Sequence, residues 1–195
     1  MEIPKIDNPT LYILIGVPGS GKSTYAEELY QKSERGIALV SSDCIRKSLY
    51  GNESCQDNPK KVFTLAHKII VDQLEHGFDV IFDATNIYAK DRMDLIRKVC
   101  FEVKKEVRIV AIYFDTPIET CIKRQDLRER KVPTKAIEKL GWQIDNHAFE
   151  EGLDIIKTIK KKCGCLVAPH FLTRKIFVII IITKENRRSN LWLQM

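Results

Sequence analysis

The sequence predicts an α/β fold in which a mostly parallel β-sheet is covered by helices on both faces. Short apolar segments alternate with longer segments whose apolar residues recur at helical spacing, which is typical of strand–helix–strand units. The first apolar segment runs into a glycine-rich turn, and later ones lead into aspartates. Because the carboxyl ends of parallel strands meet at one edge of the sheet, ligands bind there. We therefore expect the functional residues along that edge.

Four strands are predicted from apolar segments. They are Leu11–Gly16, Ile37–Val40, Phe78–Asp83 and Val107–Asp115, and their near-continuous apolar character suits strands that are buried on both faces. A helix follows the first strand through about Gln31. We expect the aspartate that follows the second strand, like those closing the third and fourth, to lie at the ligand-binding edge.

The helix between the second and third strands has clear boundary signals. Asn58 can cap its start, Pro59 suits the first helical position, and Gly77 suits the position just past its end. Between these signals lies an apolar stripe at helical spacing, which we assign to the core. The stripe consists of Val62, Phe63, Ala66, Ile69, Ile70 and Leu74.

Three more helices are expected in the second half of the chain. One spans Ala89–Phe101, one starts at Pro117 and runs into the arginine-rich segment Lys123–Lys131, and one is capped by Thr134.

The C-terminal region leaves alternatives open. Residues 150–160 (EEGLDIIKTIK) read as a helix or a last strand, and Ile176–Ile182 reads as a fifth strand. The polar end at 185–195 is expected to be frayed. We divide the chain into a domain at 1–165 and an uncertain segment at 166–195 that holds a possible last strand and a tail.

Composition indicates one soluble domain with a sizeable core, since 44% of the 195 residues are hydrophobic. The net charge is +6, but nine Lys and Arg against one acidic residue follow Asp154, so the charge is weak evidence for nucleic-acid binding by the core. The six cysteines form no zinc motif and no signal peptide is seen, which favours a cytoplasmic location. The apolar run Ile176–Ile182 is too short to span a membrane.

The turn after the first strand, GVPGSGKS, matches the motif G-x-x-x-x-G-K-[ST] in full. Gly19 and Gly21 let the backbone amides point at a β-phosphate, and the following helix adds its positive end. Lys22 can reach the β- and γ-phosphates, and the Ser23 hydroxyl can bind Mg²⁺. The motif therefore predicts a site for ATP and Mg²⁺. The residues assigned to ATP are Gly16, Pro18, Gly19, Ser20, Gly21, Lys22, Ser23 and Thr24.

Asp43, which follows the second strand, is the candidate general base. It would accept the proton of an acceptor hydroxyl and orient that oxygen toward the γ-phosphorus. Arg46 lies one helical turn further on the same side and can hold an anionic group of the acceptor. The alternative for Asp43 is a helix N-cap.

Two other aspartates end strands. Asp83, in the segment DATN, can hold a Mg²⁺-bound water or fix the loop beside Ser23, although a turn-forming role explains it equally well. Asp115 is assigned to the start of the next helix. Lys90 and Arg92 follow DATN and can extend the acceptor site.

The arginine-rich segment contains Arg124, Arg128 and Arg130. On a continuous helix Arg124 and Arg128 would share a face, where an anion between them would relieve their repulsion. A γ-phosphoryl group is such an anion, so we interpret the segment as a catalytic lid. The alternative is a solvated charged face paired with Asp126 and Glu129.

The motifs IGVPGSGKST, SSDCIRKSLYG, DATN and YFDTPIETCIKRQDLRERKVP occur in this order between Leu11 and Leu140. In this the chain resembles the phage-type 5′-polynucleotide kinases and the wider group of P-loop kinases around them. The phosphate loop is shared by many families, whereas the Asp-x-x-Arg and Arg-x-x-x-Arg elements are more specific. The resemblance implies a P-loop fold of five parallel strands with a helical lid. It also implies transfer of the ATP γ-phosphate to a 5′-hydroxyl end of DNA or RNA.

The resemblance also implies a role for individual residues. Lys22 would hold the β- and γ-phosphates, Asp43 would be the general base, and Arg46 would grip the 3′-phosphate of the acceptor. Arg124 and Arg128 would be the lid arginines. The predicted catalytic residues are therefore Lys22, Asp43, Arg124 and Arg128. The predicted acceptor site consists of Asp43, Arg46 and Arg92. The predicted metal ligands are Ser23 and Asp83.

The resemblance fades after about Cys163. The fifth strand then comes either from LDIIKTI or from IFVIIII. No second catalytic domain is expected to follow, so phosphatase and ligase activities are not expected.

Two other functions remain open. One is a P-loop kinase acting on a different hydroxyl, such as a small molecule, an aminoacyl-tRNA or a peptidoglycan sugar. The other is an ATP-binding switch that transfers no phosphate. The sequence names neither the adenine-binding residues nor the oligomeric state, and no membrane partner is expected.

Overall fold

The computed structural model describes residues 8–33, 36–128, 131–144 and 155–160. The strands are β1 (Thr10–Ile15), β2 (Ile37–Ser41), β3 (Asp79–Asp83), β4 (Arg108–Asp115) and β5 (Ile155–Lys160). The helices are α1 (Lys22–Lys32), α2 (Ser42–Tyr50), α3 (Pro59–Glu75), α4 (Ala89–Glu102), α5 (Ile118–Asp126) and α6 (Thr134–Ile144).

The five strands form one parallel sheet in the order β2-β3-β1-β4-β5. This confirms the predicted α/β class with a five-stranded parallel sheet. The register places Asp83 of β3 beside Leu14 of β1 on one side and Ser41 of β2 on the other. The segments that leave these three strands therefore begin at one level of the same edge. That edge carries the glycine-rich turn, Asp83 and the start of α2.

Side chains of β1 alternate between the two faces of the sheet, as strand geometry requires. Leu11, Ile13 and Ile15 belong to a cluster that includes buried residues of α3 and α4, whereas Leu14 packs with Ala26 of α1. The sheet is thus covered by helices on both faces, as predicted.

Helix α3 has the predicted boundaries. Asn58 Oδ1 accepts a hydrogen bond from the Lys61 backbone N–H at 3.0 Å, and Pro59 is the first helical residue. Past the end of the helix, Gly77 adopts a φ of 90°, which favours glycine. The predicted apolar stripe is confirmed as core, with four buried members and Phe63 and Ile69 packed against the same cluster.

A third apolar cluster lies at the ligand-binding edge. It joins Val17 of the glycine-rich turn, Ile87 of the loop after β3, Cys121 of α5, and Ile137 and Ile144 of α6. The two helices that follow β4 are therefore packed directly on the segments expected to bind ligand.

Several predicted boundaries differ from the structure. Strand β2 ends at Ser41, whose Oγ accepts from the Cys44 backbone N–H at 3.4 Å. Ser41 is thus the N-cap of α2, Asp43 lies in the first helical turn, and the alternative interpretation of Asp43 as the cap was wrong. Similarly, Thr134 is the first residue of α6 rather than its cap.

The C-terminal alternatives are partly decided. Ile155–Lys160 is strand β5, paired with β4, so the segment LDIIKTI supplies the fifth strand. The run at 176–182, and the whole of the proposed segment 166–195, lie outside the described residues. None of the described helices combines the length and hydropathy that crossing a membrane requires.

Candidate active site

The turn between β1 and α1 has the conformation of a phosphate-binding loop. Gly19 and Gly21 have φ values of 85° and 101°, a region that other residues adopt at a cost. Gly21 is the N-cap of α1 and has no side chain that could accept a hydrogen bond from the first backbone amides of the helix. These amides can therefore donate to a bound anion. A Cβ at Gly19 would lie 2.5 Å from the Cys121 carbonyl oxygen. Glycine at this position therefore permits both the turn and the close approach of α5.

Lys22 is held inside this loop. Its Nζ donates to the carbonyl oxygens of Gly16 at 2.8 Å and Val17 at 2.9 Å, and the residue is 7% exposed. Burial lowers the pKa of the ammonium from 10.5 to about 8, while the negative charges of Asp83 and Asp43 oppose that decrease. A bound polyphosphate would favour the charged form further. Lys22 is thus a buried cation poised beside the place where the loop binds an anion.

Asp83, the last residue of β3, and Ser23, in the first turn of α1, are neighbours at the ligand-binding edge of the sheet. Burial raises the pKa of the Asp83 carboxyl, and a hydrogen bond with the Ser23 side chain and the charge of Lys22 act against that increase. A carboxylate and a hydroxyl side by side next to a phosphate loop fit Mg²⁺, which takes one or two protein oxygens and fills its other positions with water and phosphate. The donor set at the two predicted metal residues therefore suits the ion.

Asp43 and Arg46 form an ion pair on α2. Arg46 Nη1 lies 2.6 Å from Asp43 Oδ1 and 3.5 Å from Ser42 Oγ. The Arg46 side chain is only 10% exposed, whereas that of Asp43 is 50% exposed. Arg46 Nε is buried and has no hydrogen-bond partner among the described residues. The buried arginine thus orients a carboxylate that remains accessible.

The start of the lid contacts the phosphate loop directly. Arg124 Nη1 donates to the Gly19 carbonyl at 3.2 Å and lies 3.5 Å from the Ser20 carbonyl, and the Thr116 hydroxyl donates to Ser20 O at 3.0 Å. Helix α5 ends at Asp126.

Arg128 stands beyond that end, so it and Arg124 do not share a helical face as expected. Its charge nevertheless lowers the pKa of both Lys22 and Asp83, which places it near the loop. Arg130 lies outside the described residues.

The loop after β3 is fixed at several points. Asn86 has a φ of 47°, and its Nδ2 donates to Leu14 O at 2.9 Å. The Gly16 backbone N–H donates to Thr85 O at 3.0 Å. Arg92 is 3% exposed and its Nη1 donates to Asn86 O at 2.5 Å. The structure therefore gives Arg92 a role in holding this loop, while its contact with an acceptor stays a prediction.

The structure brings Lys22, Ser23, Asp43 and Asp83 to one place, since their charges or hydrogen bonds influence one another. It also reveals residues that the sequence did not single out. Asn86 ties β3 to β1, Thr116 holds the loop carbonyl of Ser20, and Cys121 packs on Gly19. The asparagine was visible within DATN, but nothing in the sequence pattern pairs Thr116 or Cys121 with the loop.

A family of proteins described as an AAA domain matches residues 11–144. The match begins in β1 and ends with α6, so it contains the phosphate loop, the Asp43–Arg46 pair and the described part of the lid. The chain belongs to this family. With its sheet order and loop geometry, it has the fold of a P-loop kinase domain.

Three known proteins illustrate the relationship. The L-seryl-tRNA(Sec) kinase of Methanococcus maripaludis is 30% identical over 151 residues, which are 74% of this chain and 56% of that protein. A chain in the Pnkp1/Rnl/Hen1 RNA repair complex is 27% identical with a TM-score of 0.62, covering 70% of this chain and 44% of that chain. A sugar kinase from Janibacter sp. HTCC2649 has a TM-score of 0.55 at 16% identity, covering 78% of this chain and 85% of that one, and shows the fold alone. The chain spans little more than half of its seryl-tRNA kinase relative.

Proposed function

We propose that this chain is an ATP- and Mg²⁺-dependent phosphotransferase that moves the γ-phosphate of ATP to a hydroxyl group of a nucleic acid, with the 5′-hydroxyl end of DNA or RNA as the leading acceptor. The observation that carries the proposal is the position of the Asp43–Arg46 pair. It stands on α2 at the same edge of the sheet as Lys22 and Ser23. A site that only binds ATP does not need an accessible, oriented carboxylate beside the phosphates.

In the proposed reaction the phosphate loop would bind ATP, the phosphate donor. Its amides and the positive end of α1 would bind the β-phosphate, and Lys22 would exchange its carbonyl partners for phosphate oxygens. Ser23 and Asp83 would hold Mg²⁺, which neutralises charge on the β- and γ-phosphates. These roles position the γ-phosphorus and lower the charge that an attacking oxygen must approach.

The residues that would bind and activate the acceptor hydroxyl lie on α2. The acceptor oxygen would form a bond to the γ-phosphorus while the bond to the bridging oxygen of ADP breaks, and the proton of the hydroxyl would pass to Asp43. Arg46 holds that carboxylate at 2.6 Å, and its positive charge beside Asp43 would favour an anion on the acceptor. A hydroxyl with a phosphate close by is what a nucleotide chain end presents.

The arginines after β4 would stabilise the transferring group. Arg124 is already held against Gly19 and Ser20, and Arg128 lies within electrostatic range of Lys22 and Asp83. Positive charge at this position offsets the negative charge spread over the γ-phosphoryl oxygens in the transition state.

Two relatives support a nucleic-acid acceptor over a small molecule. One, at 30% identity, is named as a seryl-tRNA kinase, and the other, at 27% identity, belongs to an RNA repair complex. The sugar-kinase likeness, at 16% identity, adds only the fold.

A second candidate is transfer to the side-chain hydroxyl of an amino acid carried on tRNA. It is favoured by the seryl-tRNA kinase, whose identity of 30% extends over 74% of this chain. The same Asp43 would serve as base, and only the acceptor groove would differ.

The test is a transfer assay with γ-labelled ATP and Mg²⁺. The acceptors are a 5′-hydroxyl oligonucleotide, a nucleoside 3′-phosphate, the bare nucleoside and serine-charged tRNA. Label on the oligonucleotide and the 3′-phosphate, with little on the bare nucleoside, supports the leading proposal. Label on the charged tRNA alone supports the second candidate. If ATP binds and no acceptor is labelled, both proposals fail.

A further inference from the structure

We propose that the ring of Tyr88 stacks against a nucleobase of the acceptor, and that this contact selects nucleotides over other compounds that carry a hydroxyl group. The inference rests on the proposed phosphotransfer function and names the acceptor class for that same site.

Tyr88 is placed where an acceptor would arrive. It follows Asp83 by five residues, in the loop that leaves β3 at the ligand-binding edge, and it is the residue just before α4. The predicted metal residue Asp83 stands at the end of β3 before this loop, and the buried Arg92 stands in the first turn of α4 after it. An aromatic residue here adjoins the site without being part of the catalytic set.

The side chain of Tyr88 is exposed. It is 46% exposed, although the neighbouring Ile87 is buried in the cluster that joins the loop to the lid. An exposed ring at the rim of a ligand site is therefore a candidate for contact with a ligand.

The ring is also held in one place. The Tyr88 hydroxyl donates to Gln143 Oε1 of α6 at 2.9 Å, a bond between residues 55 positions apart. The loop beneath it is fixed by the Asn86 side chain on Leu14 O and by Arg92 on Asn86 O. A ring that is already oriented loses little conformational freedom when a base stacks on it.

The chemistry around Tyr88 fits a nucleotide chain. Lys90 is exposed two residues further along, so a cation for a phosphate stands near the aromatic surface for a base. Aromatic stacking combined with scattered positive charge is the usual way in which proteins bind single-stranded nucleic acid without reading its sequence. A sugar or an aliphatic amino acid such as serine offers no comparable flat aromatic face.

The experiment compares two acceptors that differ only in the base. One is a nucleoside 3′-phosphate, and the other is the abasic sugar 3′-phosphate that keeps the 5′-hydroxyl. Apparent KM values for each acceptor and for ATP are measured for the wild type, Tyr88→Ala, Tyr88→Phe and Phe101→Ala. Phe101 is the matched control because it is 90% exposed and lies at the opposite end of α4, about 20 Å away along the helix.

The inference predicts that Tyr88→Ala raises the KM of the nucleoside 3′-phosphate about ten-fold and leaves the abasic acceptor and ATP unchanged. Tyr88→Phe, which keeps the ring, should lose much less, and Phe101→Ala should lose nothing. Equal effects of Tyr88→Ala on both acceptors, or no effect on either, would overturn the inference while leaving the phosphotransfer function intact. If the wild type labels neither these acceptors nor a 5′-hydroxyl oligonucleotide, the leading proposed function fails and the inference fails with it.

Discussion

Arg46 and Asp43 share an ion pair of 2.6 Å in which the arginine is nearly buried and the carboxylate is half exposed. This difference in exposure between the two side chains has a physical consequence. The buried guanidinium has few alternative positions, so it fixes the carboxylate, whereas the exposed carboxylate oxygens stay accessible to an incoming hydroxyl. The pair therefore differs from a surface salt bridge, which usually contributes little to stability. It resembles a catalytic base that is oriented by a buried arginine.

Replacing Arg46 should therefore affect the acceptor more than ATP. We expect Arg46→Gln to lower kcat/KM for a nucleoside 3′-phosphate about 10- to 100-fold, because a charge-assisted hydrogen bond and the orientation of Asp43 are both lost. The KM for ATP should hardly change. Steady-state kinetics with the bare nucleoside provide the control, since that acceptor lacks the phosphate. Equal losses with both acceptors would show that Arg46 contacts no acceptor phosphate.

The buried position of Lys22 predicts a proton-linked step in ATP binding. The pKa of its ammonium is lowered to about 8 in the free chain, and the negative charge of ATP should raise it again. Above pH 8 the free chain has lost this proton, so ATP binding should take one up, and affinity should fall as pH rises. At pH 7 the lysine is already mostly protonated and contributes little uptake.

Titration calorimetry at pH 7 and pH 9, in buffers of different ionisation enthalpy, measures that uptake. The phosphates of ATP titrate well below pH 9, so they do not contribute there. The matched variant is Lys22→Met, whose residual binding should show no uptake at either pH. Identical proton uptake by the wild type at both pH values would contradict the assignment.

Substitutions at two glycines can measure how much the contact between α5 and the phosphate loop contributes to stability. Gly19 and Gly51 both have positive φ values, of 85° and 70°, but a Cβ at Gly19 would meet Cys121 O at 2.5 Å while one at Gly51 would meet nothing within 4 Å. Both alanine variants should lose about 1–2 kcal/mol of unfolding free energy from backbone strain. Gly19→Ala should lose about 1–3 kcal/mol more from overpacking.

Urea denaturation of the two variants measures this difference. Similar unfolding free energies for Gly19→Ala and Gly51→Ala would mean that α5 does not rest on the loop as described. ATP affinity should fall only for Gly19→Ala, because Gly51 is the C-cap of α2 and is not part of the phosphate loop.

The sheet and the phosphate loop could be predicted from the sequence because their signals are local. The apolar runs Leu11–Gly16 and Val107–Asp115 are bounded by glycine or polar residues, and the motif around Lys22 has fixed spacing. The boundaries of α2 were harder, because Ser41, Ser42 and Asp43 are all good capping residues and only the backbone shows which one caps.

Contacts between distant segments could not be predicted in the same way. The bonds from Arg124 to Gly19 and from Tyr88 to Gln143 join residues 105 and 55 positions apart. They depend on how α5 and α6 pack on the loop, and no periodicity or motif encodes that. The turn that ends α5 before Arg128 was missed for a related reason, since Lys123–Lys131 contains no glycine or proline to mark it.

The most direct test of Asp43 as the general base is single-turnover phosphate transfer by Asp43→Asn, with ATP affinity measured on the same preparation. The exchange removes the proton acceptor while keeping the size of the side chain and a partner for Arg46. We expect unchanged ATP affinity and a transfer rate to a 5′-hydroxyl oligonucleotide lowered about 10²- to 10⁴-fold. Transfer at close to the wild-type rate would contradict this assignment, because the carboxylate beside the phosphate loop would then have no part in the chemistry.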